Sequence, residues 1–289
     1  MNKAEYNNVA VVTVLIAGTL WSFGALVVRF IENAQSVPWQ YLFFRGFTIF
    51  ILINIYLFIK EGKSFIKNYK KIGASGILGG ISLGIAMMCF IWSITHTTAA
   101  ITLLMLAAMP FMTAILGYIF LKEKISKLTL FSIILAFIGI MLMVGNSLSP
   151  GQTSGNIAAF IMPISFATLI LIVRKFPDID MIPMQFVAGI GAIIVGYLFS
   201  TKLIISSHDI FLGFLAGFFQ VGLGFIFITI GARSTPSALV GIIMLTEAVL
   251  GPLWAWLFAN ENPPLVVLYG GVIIISAVLL QFFNRKIIN

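Results

Sequence analysis

Charge is scarce in this chain: Asp, Glu, Lys and Arg together make up 9% of its 289 residues, against roughly a quarter in an ordinary soluble domain. No long polar stretch separates its apolar runs, so almost nothing is left for an aqueous domain. There is one cysteine, Cys89, inside an apolar run. It excludes an internal disulfide and reads as a small packing residue. Of the two histidines, His96 lies in a tight bend and His208 in a polar loop, neither with a neighbour at metal-ligand spacing. HExxH, GxSxG and CxxC are all missing, which leaves an intramembrane enzyme without a nucleophile and base or a metal cluster. A phosphate-binding glycine loop is missing too, so ATP is not the direct energy source and no cofactor is implied. The apolar runs do not alternate with polar residues, which argues against a membrane barrel.

What the chain has is hydrophobicity, at 60% of its residues. The apolar runs are about twenty residues long, enough to cross roughly 30 Å of hydrocarbon as helix. They fall near residues 10–31, 38–59, 72–93, 97–121 and 127–147, then 155–174, 181–200, 209–231, 236–258 and 265–284. The expected fold is therefore an all-α membrane protein of about ten transmembrane helices. The first run is too long for a signal-peptide core and lacks a small-residue cleavage pattern, so it reads as a retained helix.

The net charge of +8 invites a nucleic-acid reading, but its distribution does not support one. With the amino terminus in the cytoplasm, Lys3, the five lysines from Lys60 to Lys71, Lys122, Lys124, Lys127, Arg174, Lys175, Arg233, Arg285 and Lys286 fall on that side. Arg29 and Lys202 lie near the other face. This asymmetry places both termini in the cytoplasm of a multi-pass protein of the cell membrane, and the basic excess records topology.

The chain also repeats itself. Val28, Arg29, Pro38, Gln40 and Gly46 recur 145 positions later as Val173, Arg174, Pro183, Gln185 and Gly191, while Ser22 becomes Ala167. Further on the spacing is 138, pairing Gly79, Gly84, Ala100, Phe120 and Glu123 with Gly217, Gly222, Ala238, Phe258 and Glu261. The boundary falls between a first unit at 1–149 and a second at 150–289. Five spans per unit is an odd number, so the second unit enters the membrane from the opposite face. Two inverted five-helix repeats follow, with a pseudo-twofold axis in the membrane plane and alternating access as the natural use. The competing readings are a symmetric bundle that only scaffolds or assembles other proteins and, further off, an intramembrane enzyme.

Small and rigid residues add detail. Gly76, Gly80 and Gly84 lay a bare stripe along the third span, and Gly213, Gly217, Gly222 and Gly224 do something similar in the eighth; another helix can approach closely there. Pro110 and Pro252 interrupt the fourth and ninth spans and favour kinks. Pro163 breaks the sixth, whereas Pro38, Pro183 and Pro236 stand at helix starts.

Charged groups inside hydrocarbon cost a few kcal/mol each on insertion scales, so they face a cavity or a partner. Glu247 lies eleven residues past Pro236, roughly 16 Å deep by helical rise. It suits a proton carrier or the counter-charge of a cation, or else a structural ion pair or a hydrogen-bonded neutral acid. Arg45 lies seven residues past Pro38, roughly 10 Å inside. Its fork matches a carboxylate or phosphate on a solute, or else helix-end carbonyls or Glu247. Gln220 sits at middle depth, where it orients a polar substrate or satisfies a neighbouring carbonyl. Trp21 and Trp254 offer aromatic faces to a cavity or to the core, and Trp39 reads as an interfacial anchor. Arg29, Arg174 and Arg233 at span ends are explained by snorkelling, Arg233 also by attraction of an anion at the cytoplasmic mouth.

Several segments resemble the drug/metabolite transporter superfamily, in particular its EamA-type branch. Thr19-Leu20-Trp21-Ser22-Phe23-Gly24 is similar to the first-helix tryptophan motif, and Tyr41-Leu42-Phe43-Phe44-Arg45 to the second-helix aromatic-arginine motif. Met109-Pro110-Phe111 with Leu121-Lys122-Glu123-Lys124 resembles the end of the fourth helix. Leu245-Thr246-Glu247 and Gly251 to Phe258 resemble the ninth. Ala248 stands where many relatives have proline, so the resemblance does not itself imply a bend beside Glu247, and the final glutamate motif is loosened to Asn260-Glu261-Asn262. The resemblance implies a secondary transporter of small organic solutes, amino acids or related metabolites among them, driven by proton coupling or by exchange. Its substrate-binding candidates are Trp21, Ser22, Arg45, Gln220, Glu247 and Trp254. Its partners are the solute, the lipid bilayer and protons, with no nucleic acid, in a monomer or homodimer.

Overall fold

The computed structural model describes residues 8–97, 102, 105–106, 108–144, 153–259 and 265–283. Lys3, Ala100, Glu261, Arg285 and Lys286, together with the junction at 149 and 150, lie outside them. Every regular element among the described residues is helical. In the first half these are α1 (Asn8–Trp21), α2 (Phe23–Arg29), α3 (Pro38–Glu61), α4 (Ile66–Lys71), α5 (Gly73–His96), α6 (Met109–Leu121) and α7 (Lys127–Val144). In the second they are α8 (Thr153–Lys175), α9 (Met184–Phe199), α10 (Ser207–Leu215), α11 (Gly224–Ala232), α12 (Ser237–Met244), α13 (Thr246–Ala259) and α14 (Leu265–Phe283). A π-helical stretch, Ala216–Leu223, joins α10 to α11.

Among the described residues, six stretches are long and apolar enough to cross a membrane: Asn8–Arg29, Pro38–Lys71, Gly73–His96, Thr153–Lys175, Ser207–Ala232 and Ser237–Phe258. Met109–Leu121, Lys127–Leu142, Met184–Phe199 and Leu268–Leu280 are shorter apolar helices. Large side chains point outward along them, such as Ile55, Phe58 and Ile59 on α3 and Phe131, Ile134 and Ile138 on α7. A surface of this kind is at rest in hydrocarbon and not in water.

The principal helix contacts are exchanged, or kept, when each half is swapped for the other. α5 packs on α8, and its repeat counterpart is the packing of α11 on α1. α5 on α9 is matched by the α10 and π segment on α3, and α6 on α8 by α13 on α2. The pairs α3 with α9 and α7 with α14 map onto themselves. The pattern of contacts is thus largely preserved when the halves are exchanged.

Glycine makes two of these contacts close. A Cβ on Gly80 would fall 2.5 Å from the Met184 carbonyl oxygen, and one on Gly217 would fall 2.7 Å from the Arg45 carbonyl oxygen. Gly76, expected in the same stripe, instead faces Ile72 of its own chain. The polar segment after Lys60 is ordered as a 3₁₀ turn (Gly62–Phe65) and α4. Tyr69 of α4 donates to Asn54 Oδ1 at 3.0 Å, and its ring lies 4.5 Å from that of Phe186.

The prolines divide. Pro38 opens α3, and Pro183 and Pro236 flank the starts of α9 and α12, as their ring geometry favours. Pro110 also sits in the first turn of a helix, α6, where its missing N–H costs nothing. Pro163 was expected to break its helix, but α8 runs through it unbroken; one lost hydrogen bond is tolerable in a helix held by packing on both sides. The ninth span does part, at Leu245 and not at Pro252. Leu245 and Ala248 donate three residues back, to Ile242 and Leu245, while the Thr246 hydroxyl takes the Ile243 carbonyl at 2.9 Å. Gly18 of α1 leaves room for this turn, since a Cβ there would come within 2.5 Å of Thr246 Oγ1.

Candidate functional site

Three irregular places in otherwise regular helices meet at the centre: the turn at Ser22 between α1 and α2, the π segment, and the break at Leu245. Discontinuous helices free backbone groups and helix ends inside a bundle, and they are tolerated where they line a cavity. A narrow pocket lies among them, lined by Trp21, Arg45, Met87, Phe90 and Leu106 from the first half and by Phe166, Gln220, Val221, Phe225 and Glu247 from the second.

Its core brings together residues that the repeat relates. Phe166 is the repeat counterpart of Trp21 at the spacing of 145, and Phe225 that of Met87 at 138. The rings of Trp21 and Phe166 are 5.0 Å apart, and Trp21 and Phe225 are 4.4 Å apart. Trp21 and Phe166 are thus counterparts in direct contact.

The polar groups are set into this apolar frame. Arg45 is 4% exposed and donates from Nη2 to Gln220 Oε1 at 2.9 Å. Gln220 Nε2 in turn donates to the Trp21 carbonyl at 3.3 Å, an acceptor loosened by the turn that follows it. Gly24 makes room for the amide, because a Cβ there would overlap the Gln220 nitrogen. Arg45 Nε and Nη1 are buried and have no hydrogen-bond partner among the described residues. The guanidinium carbon lies 5.8 Å from the Phe90 ring centre.

Glu247 occupies the first turn of α13, where the helix N-terminus favours negative charge. It is in electrostatic reach of Arg45, yet among the described residues no ion pair within 4.0 Å joins them. Of the sequence candidates, then, Trp21, Arg45, Gln220 and Glu247 share one pocket wall. Ser22 and Trp254 form an adjoining group: Trp254 Nε1 donates to Ser22 Oγ at 2.7 Å, Ser22 Oγ donates to the Thr19 carbonyl at 2.6 Å, and Trp254 stacks on Phe23 at 4.7 Å. Trp39 stacks on Trp92 at 5.0 Å. Sequence reasoning missed Phe166, Phe225, Phe90, Met87 and Leu106. The repeat pointed to the first two, as partners of Trp21 and Met87.

One end of the bundle carries a network of charged groups. Arg174 Nε donates to Glu123 Oε1 at 3.0 Å and its Nη1 to the Arg233 carbonyl at 2.8 Å. Glu123 Oε2 accepts from the Ser237 amide at 3.0 Å. Arg233 Nη2 and Lys60 Nζ both reach Asp180, at 2.6 and 2.8 Å. Arg174 and Arg233 are therefore held by acids and do more than snorkel. The network ties α3, α6, α8, the α8–α9 loop, α11 and α12, elements of both halves.

A duplicated, all-helical chain with an outward apolar surface and a central pocket is a multi-pass membrane protein of transporter design. The family model of the EamA-like transporter family matches residues 8–145 and again residues 153–283, so the chain belongs to that family and carries its unit twice. It is a membrane transporter of the drug/metabolite transporter type. A solved crystal structure superposes with a TM-score of 0.81 over 97% of this chain and 98% of its own, at 16% identity, a likeness of fold. No curated protein matches the sequence.

Proposed function

We propose that the protein is a ten-span secondary transporter that carries small organic solutes across the cytoplasmic membrane by alternating access. Its units, 1–149 and 150–289, are inverted relatives with both termini in the cytoplasm. The observation that supports this most is the central pocket, to which each half contributes residues, including counterparts in contact across the pseudo-twofold axis. A rocking of one half against the other exposes such a pocket first to one side and then to the other. The charge network then serves as the closed gate of the basic, cytoplasmic end.

In this reading Glu247, the acid facing the pocket, takes part in coupling to protons. Purified protein in liposomes should give counterflow of labelled solute from a broad metabolite panel. Glu247→Gln should lose accumulation driven by a pH gradient while keeping exchange at saturating solute. Absence of flux for every solute would overturn transport in favour of a scaffold role, and accumulation unchanged across the pH range in the Gln variant would remove Glu247 from coupling.

A further inference from the structure

The segment from Lys60 to Lys71, between α3 and α5, holds five lysines against one acid, Glu61. To orient a membrane span, lysines need only lie in its flanking loop, with no structure required of them. Here they are built onto an ordered element. The chain turns at Gly62 and again at Gly73, both at φ 57°, a left-handed conformation that suits glycine, and α4 is set between the two corners. Its inner side is fixed. Asn68 is buried, Tyr69 donates to Asn54 Oδ1 of α3 at 3.0 Å, and the Tyr69 ring lies 4.5 Å from that of Phe186 on α9. Lys63, Lys67, Lys70 and Lys71 are exposed, and among the described residues none of the four enters a salt bridge. Lys60 is spent on Asp180 at 2.8 Å. In the same stretch of chain Phe58, Ile59 and Ile66 are 54%, 78% and 59% exposed. α3 alone, at 24 residues, is about 36 Å long and already exceeds the roughly 30 Å of hydrocarbon. Its charged sequel therefore lies at the level of the headgroups.

We propose that α4 and the turn before it dock anionic phospholipid headgroups, with Lys63, Lys67, Lys70 and Lys71 against the phosphates and Ile66 in the acyl boundary. An ordered basic element with large exposed apolar side chains beside it is the pattern that binds a negatively charged membrane surface. A zwitterionic headgroup brings no net charge to the lysines. A soluble anion brings no acyl chain to Phe58, Ile59 and Ile66. Because packing on α3 and α9 holds the lysine-bearing backbone in place beforehand, less ordering entropy is lost when the lipid binds. The connection at the matching place of the second half, residues 200–206 between α9 and α10, carries Lys202 as its one cation. The surface thus belongs to one unit and not to the repeat. It needs only that the chain spans a membrane, whatever solute the chain carries.

The test is melting of the full chain in detergent micelles doped with dioleoyl phosphatidylglycerol, with dioleoyl phosphatidylcholine or, as the soluble anion, with glycerol 3-phosphate. Phosphatidylglycerol should raise the melting temperature, because it binds the folded state, and the other two should not. Each lysine at a charged membrane surface contributes about fivefold in affinity. Lys70→Gln should therefore raise the phosphatidylglycerol content at half effect about fivefold, and Lys63→Gln, Lys67→Gln, Lys70→Gln and Lys71→Gln together should abolish the shift. Lys122→Gln, Lys124→Gln, Lys127→Gln and Lys175→Gln together, an equal loss of charge elsewhere, should preserve it. The unaltered protein gives a second readout that needs no variant to fold. In nanodiscs of phosphatidylglycerol, compared with phosphatidylcholine, the four proposed lysines should be protected from amine acylation more than Lys124 and Lys127 are. The assignment is overturned by no shift with phosphatidylglycerol, by an equal shift with glycerol 3-phosphate or phosphatidylcholine, or by a shift that survives the first fourfold variant. Equal loss in the second fourfold variant, or equal acylation of all these lysines in both lipids, overturns it as well.

Discussion

Replacing Asp180 by Asn removes one charge from the network at the end of the bundle and leaves its shape. The Asp180 side chain is 28% exposed and is held by Arg233, 25% exposed, and Lys60, 43% exposed. The Lys60 link, wetter and on a flexible stem, falls in the range of about 0–1 kcal/mol measured for exposed pairs. The Arg233 link is shorter and more sheltered, and a charged hydrogen bond of that kind contributes about 1.5–3 kcal/mol, part of which Asn retains as a neutral acceptor. A loss of about 1–2 kcal/mol is expected at pH 7. Burial pushes the Asp180 carboxyl up, but hydrogen bonds from Lys60 and from the Ile182 amide, with the charges of Lys60 and Arg233, outweigh it and hold the group below its ordinary value of 3.8. A depressed carboxyl contributes stability that is complete above the unfolded value and disappears as pH falls through the lower folded one. Melting of the purified protein and of Asp180→Asn in detergent micelles should therefore differ by a constant amount from pH 8 to pH 5, with the difference closing below about pH 4. A deficit of the same size at pH 3, or none at pH 7, would refute the argument.

Two further substitutions test the packing. Gly24→Ala should displace the Gln220 amide, destabilise the fold by about 1–3 kcal/mol and raise KM more than it lowers the maximal rate; unchanged melting and unchanged KM would contradict the contact. Gly46 and Gly191 are repeat counterparts in unlike surroundings, for a Cβ on Gly46 would lie 2.6 Å from the Ala192 Cβ and one on Gly191 meets nothing within 4 Å. Gly46→Ala should lower the melting temperature, and Gly191→Ala should leave it unchanged or raise it, by up to about 1 kcal/mol of helix propensity.

Much of the scaffold is written in long-range regularities of the chain. The apolar runs located the helices because a lipid solvent demands them, and the offsets of 145 and 138 announced two related halves before any contact was seen. Arg45 and Glu247 stood out because charge is rare in such spans. The break at Leu245 was not legible: Ala248 carries no bend, and the turn is made by the Thr246 hydroxyl and by the space Gly18 leaves on a different helix. The aromatic wall was hidden for the opposite reason, since Phe166 and Phe225 are apolar residues in apolar helices. Asp180 sits in an ordinary polar loop, and only the meeting of three helix ends around it gives it two cations to hold.

The frame of the pocket is duplicated, but its polar chemistry is not. Arg45 corresponds to Ile190, Gln220 to Ser82 and Glu247 to Met109. A near-symmetric shell thus encloses a handed interior, with a fixed polarity running from one ancestral copy toward the other. In the alternating-access cycle proposed above, that polarity has no mirror partner to trade with, so the two end states would be chemically distinct and their populations open to bias by what the interior holds.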